Sequence, residues 1–559
     1  MTPFVPGSRA NLQVESRPDS ATRRWTSEAR RLPFIDCLTK SPEIQGPKGI
    51  LMKKHKLVLA LGTALAISTT PVLADKADDS WVVAWGSTGP IENVDNYFNT
   101  NRTGIWFSRM VWDQLVYRDP ATFEYKPLLA TSWEQTSPTS WRFKLREGVK
   151  FHNGEPFDAD DVVFTLNWIS DPKNGVKVQR NVNWIKEAKK VDQYTVDLHM
   201  KKPFPQAFEF LSGPLTIYPN EYYAKVGQDG MHKQPVGTGP MKVVSVKTAE
   251  EYVFARNDDY NWGSPKGAAQ AKKLTVREIA DVQTQVAELL AGGIDWTADI
   301  SADHVDQIGG VPGFGALQAG TMRTGYVGFD AAGKGNFEPT TKLKVRQAMA
   351  MAINREALVK NLIRGDARVI HTPCYPTQFG CDSNAAVKWE FNPGKAKQLL
   401  AEAGYPNGFE IDFYTFRPAD WAEAIMGDLA KVGIKAKLTK MPYFSLRDKQ
   451  HNEGTTPMFL MDWGSYSMND MSAITSHFFK KGRDDFAMDD DVAKWLEAGD
   501  TSVDLAVRKE NYAKAIQRIT EQVYWLPMFN HVRNYAYNAE LGFTPYQDEI
   551  PRLWQYGWK

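Results

Sequence analysis

A strand-like run, Phe413-Tyr414-Thr415-Phe416, ends in Arg417-Pro418. An arginine there suits one task above others, because its planar fork makes two parallel charge-assisted hydrogen bonds to a carboxylate. The plain alternative is a solvated surface side chain. Other groupings have the outline of chemistry and lack its parts. Gly328-Phe329-Asp330-Ala331-Ala332-Gly333-Lys334 has the spacing of a phosphate-binding loop, but Gly335 follows where Ser or Thr should hold Mg²⁺. There is no Gly-x-Ser-x-Gly elbow and no His-Glu-x-x-His helix, and the 9 His are scattered. Neither a hydrolase nor a metalloprotein is supported. His371, Cys374 and Cys381 could be joined into a metal site, but structural zinc wants four ligands and no second pair stands nearby.

The elements that would position such residues alternate between two periods. Trp81–Trp85 suggests a strand broken by Gly86–Pro90. Trp106–Val116 has helical spacing, and Trp141-Arg142-Phe143-Lys144-Leu145 alternates as a half-buried strand does. Asp158 offers an N-cap, with Asp160 and Asp161 in the first turn of the helix that follows. Asp281–Ala291 reads as a helix ended by Gly292-Gly293. A long amphipathic helix is predicted from Thr341 through Leu362, stopping at Gly365, and another from the N-cap Asn392 to Gly404. Strands and helices interleave without a 20–50-residue repeat, so the class is α/β.

The 559 residues, 42% hydrophobic and 24% charged, have globular composition and material for two or three cores. Lys53, Lys54 and Lys56 precede the apolar run Leu57–Ile67 and Pro71-Val72-Leu73-Ala74, the pattern of a secretory signal peptide at 52–74 cleaved after Ala74. The run is shorter than the roughly 20 apolar residues of a permanent membrane anchor. Residues 1–51 are expected to be a mis-assigned start, with Met52 the initiator, or a disordered extension. Eleven Lys and Arg and five Asp and Glu precede residue 75, so the mature chain carries −5 where the whole carries +1. That balance argues against a nucleic-acid partner. Cys374 and Cys381, two thiols close in sequence in an oxidising compartment, read as one disulfide closing a small loop.

Several segments resemble the peptide-binding solute-binding proteins of ABC importers, the family of dipeptide-, oligopeptide- and nickel-binding proteins. Leu128–Asp161, LLATSWEQTSPTSWRFKLREGVKFHNGEPFDADD, is similar to that family's signature. PVGTGPMKV (235–243), ARNDDYNWG (255–263), VRQAMAMAINREALV (345–359) and FNPGKAKQLLAEAGYP (391–406) follow in the family's order. The resemblance implies a two-lobed periplasmic-binding-protein fold of the Venus-flytrap type. Lobe I, with an extra subdomain, would be 75–325, lobe II 326–526, and 527–559 a C-terminal return to lobe I. The crossings would lie near Thr321–Asp330 and Trp525–Asn530.

It also implies site residues. Arg417 resembles the arginine that receives a ligand carboxylate in dipeptide-binding relatives. Phe459–Ser467 matches the family's Gly-Trp strand and loop at the cleft, so Trp463 and Tyr466 would supply flat apolar walls. An Asp three residues past the Trp takes the ligand ammonium in such relatives, and here that position is Tyr466, with Asp462 or Asp470 as substitutes. From the first ligand loop, Tyr97, Asn99, Asn101 and Arg102 are exposed candidates. The partners implied are a small peptide-like ligand and an inner-membrane permease. No cofactor or metal is expected, and the protein should be a periplasmic monomer that is not itself membrane-embedded. The rivals are a non-peptide cargo such as a nickel chelate, opine or oligosaccharide, and a periplasmic peptidase.

Overall fold

A computed structural model describes residues 76–86, 89–99 and 102–559, with only the backbone of Tyr466. The expected extension 1–51, the signal peptide 52–74 and Asn101 lie outside the described residues. Among those described, no helix is long and apolar enough to cross a membrane.

Two long strands organise the molecule. Phe314–Phe329 and Trp525–Asn538 pair antiparallel over most of their length and stand in the middle of a ten-stranded mixed sheet. On one side follow Met458–Trp463, Glu410–Thr415 and Lys435–Lys440, the last two parallel. On the other follow Trp296–Ala298, Ser80–Trp85, Lys273–Glu278, Glu251–Arg256 and Met241–Lys247. The ladder between the long strands is interrupted where Gly320 to Thr324 faces Val532 to Asn530. Such a bulge leaves residues unpaired and re-aims their side chains. Here it leaves Arg323 out of the ladder.

The strands beyond the bulge carry apolar side chains on both faces, as a sheet covered on both sides must. Val327, Phe329, Phe413 and Leu460 join a core with the helices Leu343–Ala352, Pro393–Glu402 and Ala419–Ala430. Tyr326, Tyr414, Phe459 and Met461 join a second with the helices Ser472–Phe478, Asp490–Thr501 and Leu505–Glu521. In the other half, one aromatic core built on Trp81, Phe107, Trp112, Tyr252 and Trp296 continues into a separate four-stranded antiparallel sheet. That sheet, of Ala130–Ser137, Ser140–Leu145, Thr195–Met200 and Ile185–Asp192, is covered by the helix Ala159–Ser170. This is the α/β fold with an extra subdomain expected from the sequence.

The signature segment has a packing explanation. Asp158 and Asp161 form a capping box at the start of Ala159–Ser170. His152 donates its backbone N–H to the Gly237 carbonyl at 2.8 Å, and its Nε2 lies 2.9 Å from the Gly239 carbonyl. A Cβ on Gly237 would fall 2.1 Å from the Val111 carbonyl oxygen, so this segment lies against Val111 only because that residue is glycine. One predicted element is broken. The long helix from Thr341 stops at Ala352, and a new turn starts at Arg355. Asn354 accepts from the Ala357 N–H at 3.0 Å and gives its own N–H to Asp428 at 2.8 Å, so a cap interrupts the periodicity.

Candidate functional site

The site forms where the bulge, the end of Glu410–Thr415 and the C-terminal segment meet. Arg417 follows that strand, and its N–H donates to Thr415 Oγ1 at 2.9 Å. Pro418 then starts the helix Ala419–Ala430. The Arg417 guanidinium lies over the Phe416 ring at 4.6 Å and is ion-paired through Nη2 with Asp462 Oδ2. Its Nε is buried and donates to no acceptor among the described residues.

Asp462 sits on Met458–Trp463, opposite Gly325 of the long strand. Its other oxygen receives Arg323 Nη1 at 2.8 Å. Arg323 turns its remaining edge to Glu549, donating from Nε and Nη2 at 2.8 Å each, a parallel fork. Beyond it, Arg533 donates to Asp299 at 2.7 Å and to the Glu549 carbonyl at 3.0 Å. Arg102 lies 3.7 Å from Asp299. The group thus gathers four arginines, Arg102, Arg323, Arg417 and Arg533, around three acids, Asp299, Asp462 and Glu549. Burial alone would raise the carboxyls of Asp462 and Glu549, but the neighbouring arginines outweigh it and hold both well below the usual range. Burial and then Arg417 push His531 down to about 4, leaving it uncharged at neutral pH. The group therefore carries one positive charge in excess.

Trp463 ends the same strand as Asp462. Its ring stacks on His477 at 5.0 Å, meets Phe478 edge-on at 5.2 Å, and has Arg180 of the other half 5.7 Å from its centroid. The turn Ser465–Ser467 follows, and its far end is held from the other half: Arg118 donates to the Ser467 carbonyl, and Ser467 Oγ to the Asp548 carbonyl. Tyr466 occupies the middle of this turn, and its side chain lies outside what is described. Asn469 gives its N–H to Glu209 at 2.7 Å, a further link between the halves.

Several expected site residues are placed differently. Asp470 is buried away from the arginine group, accepting from Arg508 at 2.6 Å and from the Ser472 hydroxyl at 2.6 Å. It ties the helix Leu505–Glu521 to the loop after Trp463. Tyr97, expected to be exposed, is buried because its hydroxyl is spent on the Thr216 carbonyl and its ring meets Tyr218 at 5.0 Å. Asn99 packs against Gly104, where a Cβ would overlap its amide. Arg102 opens the helix Arg102–Val111 and reaches the arginine group. Cys374 and Cys381 are joined by a disulfide, so they are not free to ligate a metal. Arg323, Arg533, Asp299 and Glu549 were not singled out in the sequence, where nothing local marks them.

The family model for bacterial extracellular solute-binding proteins, family 5 Middle, matches residues 124–486. The chain belongs to this family. Family 5 relatives include heme-binding protein A of Haemophilus influenzae, 30% identical over 64% of this chain and 69% of the relative. The glutathione-binding protein GsiB of Salmonella paratyphi A is 28% identical over 74% of this chain and 79% of its own length. Among solved structures, HbpA2 of Haemophilus parasuis superposes with a TM-score of 0.71 at 26% identity, covering 86% of this chain and 100% of that one. As a family 5 protein the chain is a two-lobed solute-binding protein of ABC import. The arginine group lies beside the bulge in the pairing of the two long strands.

Proposed function

We propose that this chain is exported through residues 52–74 and captures a small peptide-like solute in the periplasm, closing lobes divided near residues 325 and 526 over it for delivery to a permease. Arg417 is the carboxylate anchor in this reading, and Trp463, with Tyr466, walls the site. No bond of the solute is altered. The observation that carries the reading is Arg417 itself: a strand-end guanidinium with a buried, unpartnered Nε beside a group of net positive charge. A carboxylate docking there would supply the missing acceptor. The likeness to a glutathione-binding protein supports a peptide-like ligand.

The test is calorimetric titration of wild type and Arg417→Ala with glutathione and with the dipeptide Ala-Ala. At least one should bind wild type, and the variant should lose about tenfold or more in affinity, the worth of one charge-assisted pair. Equal affinities would overturn the assignment of Arg417.

A second reading, a non-peptide acid such as an opine in the same cleft, is favoured by one observation. Both oxygens of Asp462 lie within ion-pairing distance of arginines, and Asp470 is paired with Arg508, so the charge of each carboxylate is already opposed by an arginine. Native mass spectrometry of the purified protein, followed by denaturation and identification of the released molecule, separates the two.

A further inference from the structure

Arg180 sits on a short turn, Gln179–Asn181, that its own neighbours hold in place. The buried Trp184 donates its indole N–H to the Asn181 carbonyl at 2.9 Å, and the Gln179 amide donates to the Val176 carbonyl at 2.6 Å. From this mount the Arg180 guanidinium lies 5.7 Å from the Trp463 ring centroid, and its Nη1 lies 3.1 Å from His477 Nδ1. Trp463 and His477 stack on each other, and one helix, Ser472–Phe478, holds both. His477 belongs to it, and the Trp463 indole N–H donates to its Ala473 carbonyl at 3.3 Å. Under the division of lobes proposed above, one cation of the first lobe thus rests on two rings of the second.

These contacts fix where the ring proton of His477 sits. An arginine can only donate, so Nδ1 presents its lone pair to Arg180. The proton is then on Nε2, which lies 3.1 Å from Asp484 Oδ2. Asp484 does not serve His477 alone, because Arg447 and His451 both reach its other oxygen. Arg483 adds a further positive charge nearby, and Phe478 meets the ring edge-on at 4.5 Å. His477 therefore faces three arginines, a second histidine and one shared carboxylate. A second ring proton would have to enter at Nδ1, turning the Arg180 hydrogen bond into a contact between two cations.

The sign of the pH dependence follows. Burial and then Arg180 push His477 down to about 3. Parting the lobes removes Arg180 and returns water to the ring, which moves His477 back toward its usual value near 6.5. The closed form then binds fewer protons than the open one. The contribution of His477 to closure is complete above about pH 6.5 and is lost progressively as pH falls toward about 3.

We propose that Arg180 is a positioning residue for capture, latching the lobes through the Trp463–His477 pair, and that the latch holds only while His477 is uncharged, so that acid loosens the grip on the solute. The latch rests on the capture reading above, in which Trp463 walls the site. Arg417 anchors the solute, whereas Arg180 keeps the wall closed over it.

The experiment is calorimetric titration of wild type, Arg180→Gln and His477→Gln with glutathione and with Ala-Ala, at pH 7.5 and at pH 5. Near-ultraviolet circular dichroism confirms that each variant is folded. At pH 7.5 Arg180→Gln should lose about fivefold in affinity, the worth of a cation over an indole with its hydrogen bond. Between pH 7.5 and pH 5 wild type should lose about fivefold or more beyond what His477→Gln loses, because glutamine accepts a hydrogen bond but takes no proton. Arg180→Gln with wild-type affinity at pH 7.5, or wild type and His477→Gln falling in parallel, overturns the latch. Binding of neither probe to wild type is the failure of the peptide reading, and small-angle X-ray scattering of the ligand-free protein then decides. Acid should raise the radius of gyration of wild type more than that of His477→Gln; radii that change alike, or not at all, overturn the latch.

Discussion

Replacing Asp462 with Asn tests whether the arginine group is held together by this one carboxylate. The side chain is 2% exposed and lies between Arg323 and Arg417, which are 14% and 19% exposed. Removing one partner of a buried pair costs about 3–5 kcal/mol, because the charge left behind is uncompensated. Asn keeps the shape and one acceptor, and the two arginines regain some water through their partial exposure, so the lower end, about 3 kcal/mol, is expected. The pH dependence follows from the direction of the shift. Burial pushes the Asp462 carboxyl up, but Arg417 and Arg323 pull harder, and it stands below its unfolded value near 3.9. A carboxyl depressed in the folded state contributes stability that is present above about pH 4 and lost as pH falls through the folded value. Urea unfolding followed by tryptophan fluorescence should therefore show Asp462→Asn less stable by about 3 kcal/mol at pH 7, with the gap narrowing below about pH 4. A gap under about 1 kcal/mol at pH 7, the range of an exposed pair, or one that persists unchanged at pH 3, would refute the reasoning.

Two further outcomes concern stability elsewhere. The disulfide joins cysteines 7 positions apart, so Cys374→Ala/Cys381→Ala should lose about 2–3 kcal/mol by the loop-entropy estimate. A reductant should lower the urea midpoint of wild type to the same extent, and no response to reductant would contradict it. His152 is pushed down to about 4 by burial, with Nδ1 facing the Gly237 N–H and Nε2 facing the Gly239 carbonyl, which suits the neutral ring. Its folded value is below the unfolded one near 6.5, so its contribution is complete above about pH 6.5 and is lost as pH falls through about 4. Comparing unfolding at pH 7 and pH 4.5, His152→Gln should show a shallower fall than wild type; parallel falls would show that His152 is not responsible.

Local rules reached the elements further than the site. The capping box at Asp158, the alternation of Trp141–Leu145 and the Asn392-Pro393 start each depend on neighbours within a few residues, and each stands where the pattern puts it. The helix predicted from Thr341 failed for a reason of the same scale, since apolar spacing continues through Asn354 while the side-chain cap does not announce itself in periodicity. Tyr97 was misjudged because exposure is decided by Thr216 and Tyr218, more than a hundred residues away. The arginine group is more distant still. Arg417 is legible as a type at a strand end, but its setting is made by a bulge at Arg323, an antiparallel register that brings Asp462 opposite Gly325, and a C-terminal segment that returns Glu549. None of these pairings leaves a trace in the spacing of residues along the chain.

The placement of charge also bears on how capture would close the lobes. A solute shifts an equilibrium between open and closed forms only by the difference in its affinity for the two. Under the proposed division of the lobes, Arg417 belongs to the second, Arg323 to a crossing strand, and Arg102, on the helix Arg102–Val111, to the first. These cations repel one another: burial and then the charge of Arg323 lower Arg102 to about 10. Bringing the lobes together therefore concentrates positive charge at the crossing, and the three acids of the group leave one unit of it uncancelled. A neutral or cationic solute would leave that cost in place. A carboxylate seated among arginines from both lobes would offset it only in the closed form, which is the differential interaction that closure requires.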